Sequence, residues 1–190
     1  MLRDYSGNYL PEMRLERFSK GTLIELLRLY SRLYMALDGF WYLAVKERNG
    51  NEEALACDLW VWEKASKYEL ARVTKLMKIE GNDVAALARA FQVGPWFWNL
   101  EYDMEVKNKN HAVLTVSHCP TLVTLEKEGT GREDSICNLM EPKFFKDYAS
   151  FFDSDIQVKC LKSPPRESKN DICCRWEFKL YNKDEAKTSS

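Results

Sequence analysis

The 190-residue sequence lacks the features that mark several large classes of protein. Its 28 Lys and Arg side chains are balanced by 29 Asp and Glu, so the chain has no broad basic surface for nucleic acid. The longest apolar run, residues 35–45, is interrupted by Asp38 and is too short to cross a bilayer. We therefore expect neither nucleic acid nor a membrane among the partners of this protein.

The first 18 residues also lack the pattern of a secretory signal peptide. Residues 1–18 carry six charged side chains and no apolar segment, whereas a signal peptide needs an apolar core of roughly 7 to 15 residues. We expect a cytoplasmic protein in which these residues form an irregular arm. The six cysteines should then remain thiols, because disulfides are rare in a reducing compartment.

No sequence motif identifies an enzyme class. The chain contains no GxSxG nucleophile elbow, no Walker phosphate loop and no HExxH, and its cysteines form no CxxC pair. Gly129-Thr130-Gly131 lacks the third glycine of a dinucleotide-binding loop. Function must therefore be inferred from the positions of reactive side chains in the predicted fold.

Apolar residues in the first half of the chain recur at helical spacing. They predict a long amphipathic helix over 22–49, a second helix over 52–79 and a shorter one over 83–91. Thr22 and Glu25 predict a capping box for the first helix, and Asn82 is the predicted N-cap of the third. This half is expected to form a helical layer.

The spacing of apolar residues becomes alternating after Gly94-Pro95. The predicted elements are a hairpin over 100–106 and 112–118, helices over 120–128 and 141–152, and a second hairpin over 156–160 and 172–180. We predict an α+β fold in which the helical layer packs on a mainly antiparallel sheet, formed by the two hairpins with intervening helices.

The predicted organisation is one domain followed by a tail. A single α+β domain covers 19–181, with a helical half over 19–92 and an α/β half over 95–181. Residues 182–190 contain no apolar anchor and are expected to form a flexible tail.

Cysteines give the strongest chemical signal, because five of the six fall between residues 119 and 174. If the second hairpin pairs symmetrically about its loop, Cys160 faces Cys174 with Cβ atoms about 5 Å apart. Alternation then turns Cys173 to the opposite face. Cys119 and Cys137 lie at element junctions, from which they can join the pair.

Such a cluster predicts a zinc site with Cys119, Cys137, Cys160 and Cys174 as ligands. Four thiolates suit a closed tetrahedral site, whereas three leave a position for a water molecule. Whether Cys119, Cys173 or His118 completes the set stays open. The alternative is that these residues are small buried hydrophobes, which is how free cysteine commonly behaves.

Two acidic residues and several tryptophans suggest a small-molecule pocket. Asp38 and Asp58 interrupt the apolar stripes of the first two helices; buried, they would act as an acid/base pair or contact a ligand, and at the stripe edge they would lie in water. His118 is a third catalytic candidate. The predicted pocket lies between the helical layer and the sheet. Its predicted ligand-binding residues are Asp38, Trp41, Trp62, Trp96 and Trp98.

Several segments resemble a known family. The sequence Val-Ser-His-Cys-Pro-Thr over 116–121, Cys137, and Cys-Cys-Arg-Trp-Glu-Phe over 173–178 resemble proteins related to the L-2-amino-thiazoline-4-carboxylic acid hydrolase-like family, and the resemblance covers about residues 20–180. The order of elements is similar to the four-vinyl reductase-type ligand-binding domain. That resemblance implies a zinc ion beside a small-molecule cavity, with Cys137, Cys160 and Cys174 at matching positions.

These observations predict a cytoplasmic small-molecule-binding protein with a cysteine-rich metal site, for which zinc is the expected cofactor. One alternative is a metal- or thiolate-dependent hydrolase of a small cyclic amidine or thiazoline, such as an L-2-amino-thiazoline-4-carboxylate-like compound. Another is a structural or dimerising module with reduced core cysteines. The expected partner is a small-molecule ligand, and a homodimer stays open.

Overall fold

In the computed structural model, which describes residues 1–181, the first half of the chain is helical. Helices α1 (Lys20–Asn49) and α2 (Asn51–Met77) pack on each other, and Gly50 turns the chain between them with a φ of 91°. That backbone conformation favours glycine, since a side chain would be strained there. The three predicted helices are present.

The helix caps differ slightly from the predicted ones. Ser19 Oγ accepts a hydrogen bond from the Thr22 backbone N–H at 3.1 Å, so Ser19 caps α1 and Thr22 lies inside its first turn. Helix α3 (Val84–Val93) is capped by Asp83, whose carboxylate accepts from the Ala86 N–H at 2.8 Å. A carboxylate at this position satisfies a free helical N–H group as well as Asn82 would.

The second half contains the sheet and two further helices. Strands β1 (Glu101–Asn108), β2 (His111–His118), β3 (Gln157–Lys162) and β4 (Cys174–Lys179) are arranged in the order β1-β2-β4-β3, and every neighbouring pair is antiparallel. The predicted α+β fold class is confirmed. Helices α4 (Pro120–Glu128) and α5 (Arg132–Phe152) separate the two hairpins.

Helix α5 begins nine residues before the predicted start, at Arg132 rather than Glu141. The aromatic residues that indicate this helix fall within 144–152, which is the second half of α5. Pro142 lies inside the helix. Glu133 and Asp134 occupy the true first turn, where acidic side chains interact favourably with the helix dipole.

The main core lies between one face of the sheet and helices α3 and α5. Ala112, Leu114 and Val116 alternate toward this core from β2, and Trp176 and Phe178 do so from β4. The helices fill the opposite side with aromatic rings, so the sheet face leaves little free space. The core aromatic residues from the helices are Phe91, Phe145, Tyr148 and Phe152.

The predicted register of the second hairpin is wrong by two residues. Cys160 pairs with Trp176 rather than with Cys174, and the register shifts again between Cys160 and Lys162. A two-residue slip moves Cys160 about 7 Å along the strand from its expected partner. The loop from Ser163 to Cys173 is therefore not symmetric about the hairpin, as the prediction required.

Two further points concern the ends and surface of the chain. The arm contains a short 3-10 turn over Leu15–Arg17 and a bridge between Leu2 and Phe18. The predicted tail at 182–190 lies outside the described residues. Within residues 1–181, no helix has the length and apolar character needed to cross a membrane.

Candidate functional site

A cavity lies among the helices and not, as predicted, between the helical layer and the sheet. It has a volume of about 330 Å³ and is lined by residues of α1, α4 and α5 together with Asp58 of α2; we call it the aspartate cavity. The reason for the difference is that aromatic side chains fill the sheet face. Helix α1 instead leaves a gap where it passes α4 and α5.

Asp38 and Asp58 lie at the inner end of this cavity. Both also line an adjoining inner cavity of about 60 Å³, which places them at the junction of the two spaces. Trp62 Nε1 donates a hydrogen bond to Asp38 Oδ1 at 3.0 Å. Asp58 is only 6% exposed, and its Oδ1 atom has no hydrogen-bond partner within residues 1–181.

The environment changes the acidity of both aspartates. Burial raises the pKa of Asp38 to about 6. Burial, together with the negative charge of Asp38, raises the pKa of Asp58 to about 7. In the described part of the chain no Lys, Arg or His forms an ion pair with either residue. The pair therefore holds about one proton near neutral pH.

Local helix geometry explains why the two acids meet. Asp58 and Trp62 are four residues apart on α2, so they lie on one face of the helix. The Trp62 ring packs edge-on against Trp96 at 5.1 Å and Phe144 at 5.5 Å between centroids. These contacts hold the indole in the orientation from which its N–H group reaches Asp38 on α1.

Charged side chains also line the aspartate cavity. Arg132 donates two hydrogen bonds to Glu128, at 2.9 and 2.5 Å, and its guanidinium lies 5.0 Å from the centre of the Tyr42 ring. Arg32 is exposed at the mouth and makes no hydrogen bond or ion pair with residues 1–181. Phe40, which is 71% exposed, adds an apolar lip to the opening.

The other predicted pocket residues are divided between the cavities and the surface. Trp62 and Trp96 line the inner cavity. Trp41 and Trp98 are 44% and 43% exposed and line neither the aspartate cavity nor the inner cavity; Trp98 Nε1 donates to the Gln92 carbonyl. His118, the third catalytic candidate, is exposed at the end of β2 and also lines neither cavity.

Four cysteines surround a third space of about 20 Å³, which we call the cysteine cavity. Its thiols belong to Cys119, Cys137, Cys173 and Cys174. Cys160 does not reach it, since its side chain is exposed on β3. Cys173 precedes β4, so alternation does not apply to it, and it turns inward to donate from Sγ to the Ser117 carbonyl at 3.4 Å.

The thiols of the cysteine cavity are poor nucleophiles in this structure. Burial raises the pKa of Cys119 to about 12, and it also raises the pKa values of Cys137 and Cys174. At neutral pH these groups are protonated, whereas the thiolate is the reactive form.

Three of the four predicted zinc ligands, Cys119, Cys137 and Cys174, line the cysteine cavity, and Cys160 does not. In the described chain no group of three or more His, Cys, Asp or Glu side chains is placed to hold a metal ion, so zinc stays a prediction. We therefore derive no chemical step through a metal.

Sequence reasoning missed Glu141, which connects the two regions. This residue lines both the inner cavity and the cysteine cavity, and burial raises its pKa to about 7. The sequence analysis also missed Glu128 and Arg132, which line the aspartate cavity. Their spacing of four residues is a signal for an ion pair, but Gly129-Thr130-Gly131 between them indicated a turn instead.

Comparisons with known proteins add a family but no described activity. Searches of curated proteins and of solved structures found no match to the chain. A protein-family model matches residues 16–180, which include every helix and strand described above. On that evidence the chain belongs to DUF6125, a family of unknown function.

Proposed function

We propose that this protein binds a small organic molecule in the aspartate cavity, with Asp38 and Asp58 as its polar contacts. The observation that carries the proposal is the buried Asp58 Oδ1 atom, which lacks a hydrogen-bond partner within residues 1–181 although it borders an open space. A buried polar atom without a partner costs about 1 to 3 kcal/mol. A donor group on a ligand would recover that free energy.

The remaining lining supports the same function. Apolar side chains, including Met35, Leu43 and Ile136, cover most of the cavity wall, and its volume of about 330 Å³ lies in the range found for ligand sites. Such sites combine an apolar wall with a few polar groups that fix the orientation of the ligand. The two aspartates, together with Arg32 and Arg132 elsewhere in the lining, provide those groups.

Blocking the cavity tests this function. Ala36 lines the aspartate cavity from α1, and Ala36→Trp would fill part of it. The matched control is Ala56→Trp, at an exposed position on α2. Ligand-observed NMR with a library of small amines, amidines, carboxylic acids and neutral aromatics should give binders that are lost in A36W and retained in A56W. Binders that survive in A36W, or a library without binders, would contradict the proposal.

Hydrolysis of a bound cyclic amidine or thiazoline is a second candidate, favoured by the pKa values of about 6 and 7 at Asp38 and Asp58. A carboxyl pair sharing one proton near neutral pH can donate a proton to a leaving group and accept one from water. In this version the aspartates, not the protonated thiols, activate the attack. Incubation with L-2-amino-thiazoline-4-carboxylate tests it: turnover should require both carboxyl groups and persist in Cys137→Ser.

Zinc and the cytoplasmic location stay predictions that accompany this proposal. All six cysteines are unpaired, which supports a reducing compartment. Elemental analysis of the purified protein decides whether the cysteine cavity takes up zinc, and loss of the metal in Cys174→Ser but not in Cys160→Ser would place it there.

A further inference from the structure

We infer that the aspartate cavity selects an organic cation, an ammonium or amidinium group on an otherwise apolar body, and that Asp38 and Asp58 receive its N–H groups. This inference rests on the proposed function, because it names the class of molecule that the same cavity takes. The proposed function specifies only a small organic molecule that fits the cavity. The inference adds that one end of this molecule is positively charged.

The first argument is a shortage of donors at the inner end of the cavity. The indole of Trp62 has a single N–H group, which donates to Asp38 and also lies close enough to Asp58 to lower its pKa. Asp58 Oδ1 is nevertheless buried with no hydrogen-bond donor within residues 1–181. Thr121 is the other polar side chain shared by the two adjoining cavities. A ligand with several N–H groups would supply the hydrogen-bond donor that Asp58 Oδ1 lacks.

The second argument is the balance of charge around the pair. From α1 the neighbouring titratable groups are Arg32, Tyr34 and Tyr42; α4 contributes Glu128, and α5 contributes Arg132 and Glu141. Arg132 is already paired with Glu128, and Arg32 is exposed at the mouth. The inner end thus contains the carboxyl groups of Asp38 and Asp58, and Glu141 lines the adjoining inner cavity. Within residues 1–181 none of the three forms an ion pair with a Lys, Arg or His, so this region would repel an anion and attract a cation.

Tyr34 does not change this balance. Its hydroxyl donates to Glu69 rather than to the aspartates, at 3.4 Å, and Glu69 also accepts from Tyr148 at 2.6 Å. The acidic pair is therefore not supplied with a donor by the tyrosines around it. A cationic group entering between Asp38 and Asp58 would be the nearest positive charge to both.

Proton release follows from this arrangement. Near neutral pH the pair retains a proton because both carboxyl groups are buried, and a bound cation favours the ionised form of each. Binding should therefore expel roughly half to one proton per ligand at about pH 6.5. Affinity for a cation should rise between about pH 5 and pH 8 and then level off.

Benzamidine and benzamide make a direct test on the unmodified protein. The two molecules have nearly the same shape, but only benzamidine carries an amidinium charge. Isothermal titration at pH 8 should show benzamidine binding at least tenfold more tightly. At pH 6.5 its apparent enthalpy should depend on the ionisation enthalpy of the buffer, which measures the proton released. The tryptophan fluorescence of the protein should change on binding, because the indole N–H of Trp62 contacts Asp38, and this change should be absent in Trp62→Phe.

Matched variants locate the effect. Asp58→Asn should weaken benzamidine binding at least tenfold, whereas Asp103→Asn, at an exposed position on β1, should leave it unchanged. Asp38→Asn provides the same test if D58N fails to fold, and thermal melts establish which variants are folded.

Three results would overturn the inference: equal affinity for benzamide, no binding of benzamidine, or unchanged binding in both aspartate variants. The cavity-blocking screen with A36W decides separately whether the cavity binds small molecules at all. Neutral binders that are lost in A36W, together with no preference for benzamidine, would leave the proposed function standing and remove the cationic specificity.

Discussion

The aspartate cavity adjoins the inner cavity, whose residue Glu141 also lines the cysteine cavity. The aspartate and cysteine cavities differ in what their polar groups can do. The first has room for an organic molecule, and its acids ionise near neutral pH. The second, at about 20 Å³, has room for about one water molecule, and its thiols stay protonated. Clustering of reactive residues alone therefore does not mark a site; space and a suitable protonation state are also needed.

The largest effect should come from removing the charge of Asp58. Its pKa is raised from 3.8 to about 7, so ionising it in the folded state costs up to about 4 kcal/mol. A raised carboxyl pKa means that the folded state binds more protons, so stability falls as pH rises from about 4 to 7. D58N should increase the free energy of unfolding at pH 8 by about 2 to 4 kcal/mol, measured by urea denaturation.

The pH dependence provides the control for this prediction. D58N should gain much less at pH 4, where Asp58 of the natural sequence is protonated in the folded protein and its burial is less costly. D103N should show no gain at either pH, because Asp103 is exposed. A destabilised D58N at pH 8 would mean that Asp58 has a structural role, and the contrast between the two cavities would fail.

A smaller change in the free energy of unfolding is expected from a substitution in the cysteine cavity. Cys173 is 1% exposed and packs in the main core, so Cys173→Ala should create a small void and lower the free energy of unfolding by about 1 to 2 kcal/mol. Urea denaturation at pH 7 under reducing conditions measures this change. An increase in stability, as expected for D58N, would show that the thiol is under strain and is not simply part of the core.

Local patterns predicted much of this fold, because they depend on neighbouring residues. Alternation identified β1 and β2, and helical spacing identified α1, α2 and α3. Helix α5 begins earlier than predicted because the aromatic residues that indicate it lie only in its second half. The register of the second hairpin could not be predicted from a symmetric loop, since the bulge after Cys160 and the inward turn of Cys173 depend on tertiary contacts.

The candidate site was harder to predict than the elements that carry it. Asp38 and Asp58 were recognised as acids that interrupt apolar stripes, but burial and exposure were both open. Which alternative holds depends on how α1 and α2 rotate against each other and on where α4 and α5 pack. Those packing angles arise from contacts between distant residues, such as Trp62 with Phe144, and not from spacing along either helix.

The smallest effect should come from Cys160, and it separates the predicted cysteine cluster from the observed one. Cys160→Ala should change the free energy of unfolding by less than about 0.5 kcal/mol, since surface substitutions rarely do more. Dithionitrobenzoate should label Cys160 in the folded protein well before Cys137 and Cys173, which react only when the protein opens, because both are buried. Peptide mapping of the labelled chain identifies the residue. A loss of unfolding free energy as large as that of Cys173→Ala, or slow labelling of Cys160, would contradict this prediction. It would indicate that Cys160 is buried with the other cysteines, as the predicted pairing with Cys174 requires.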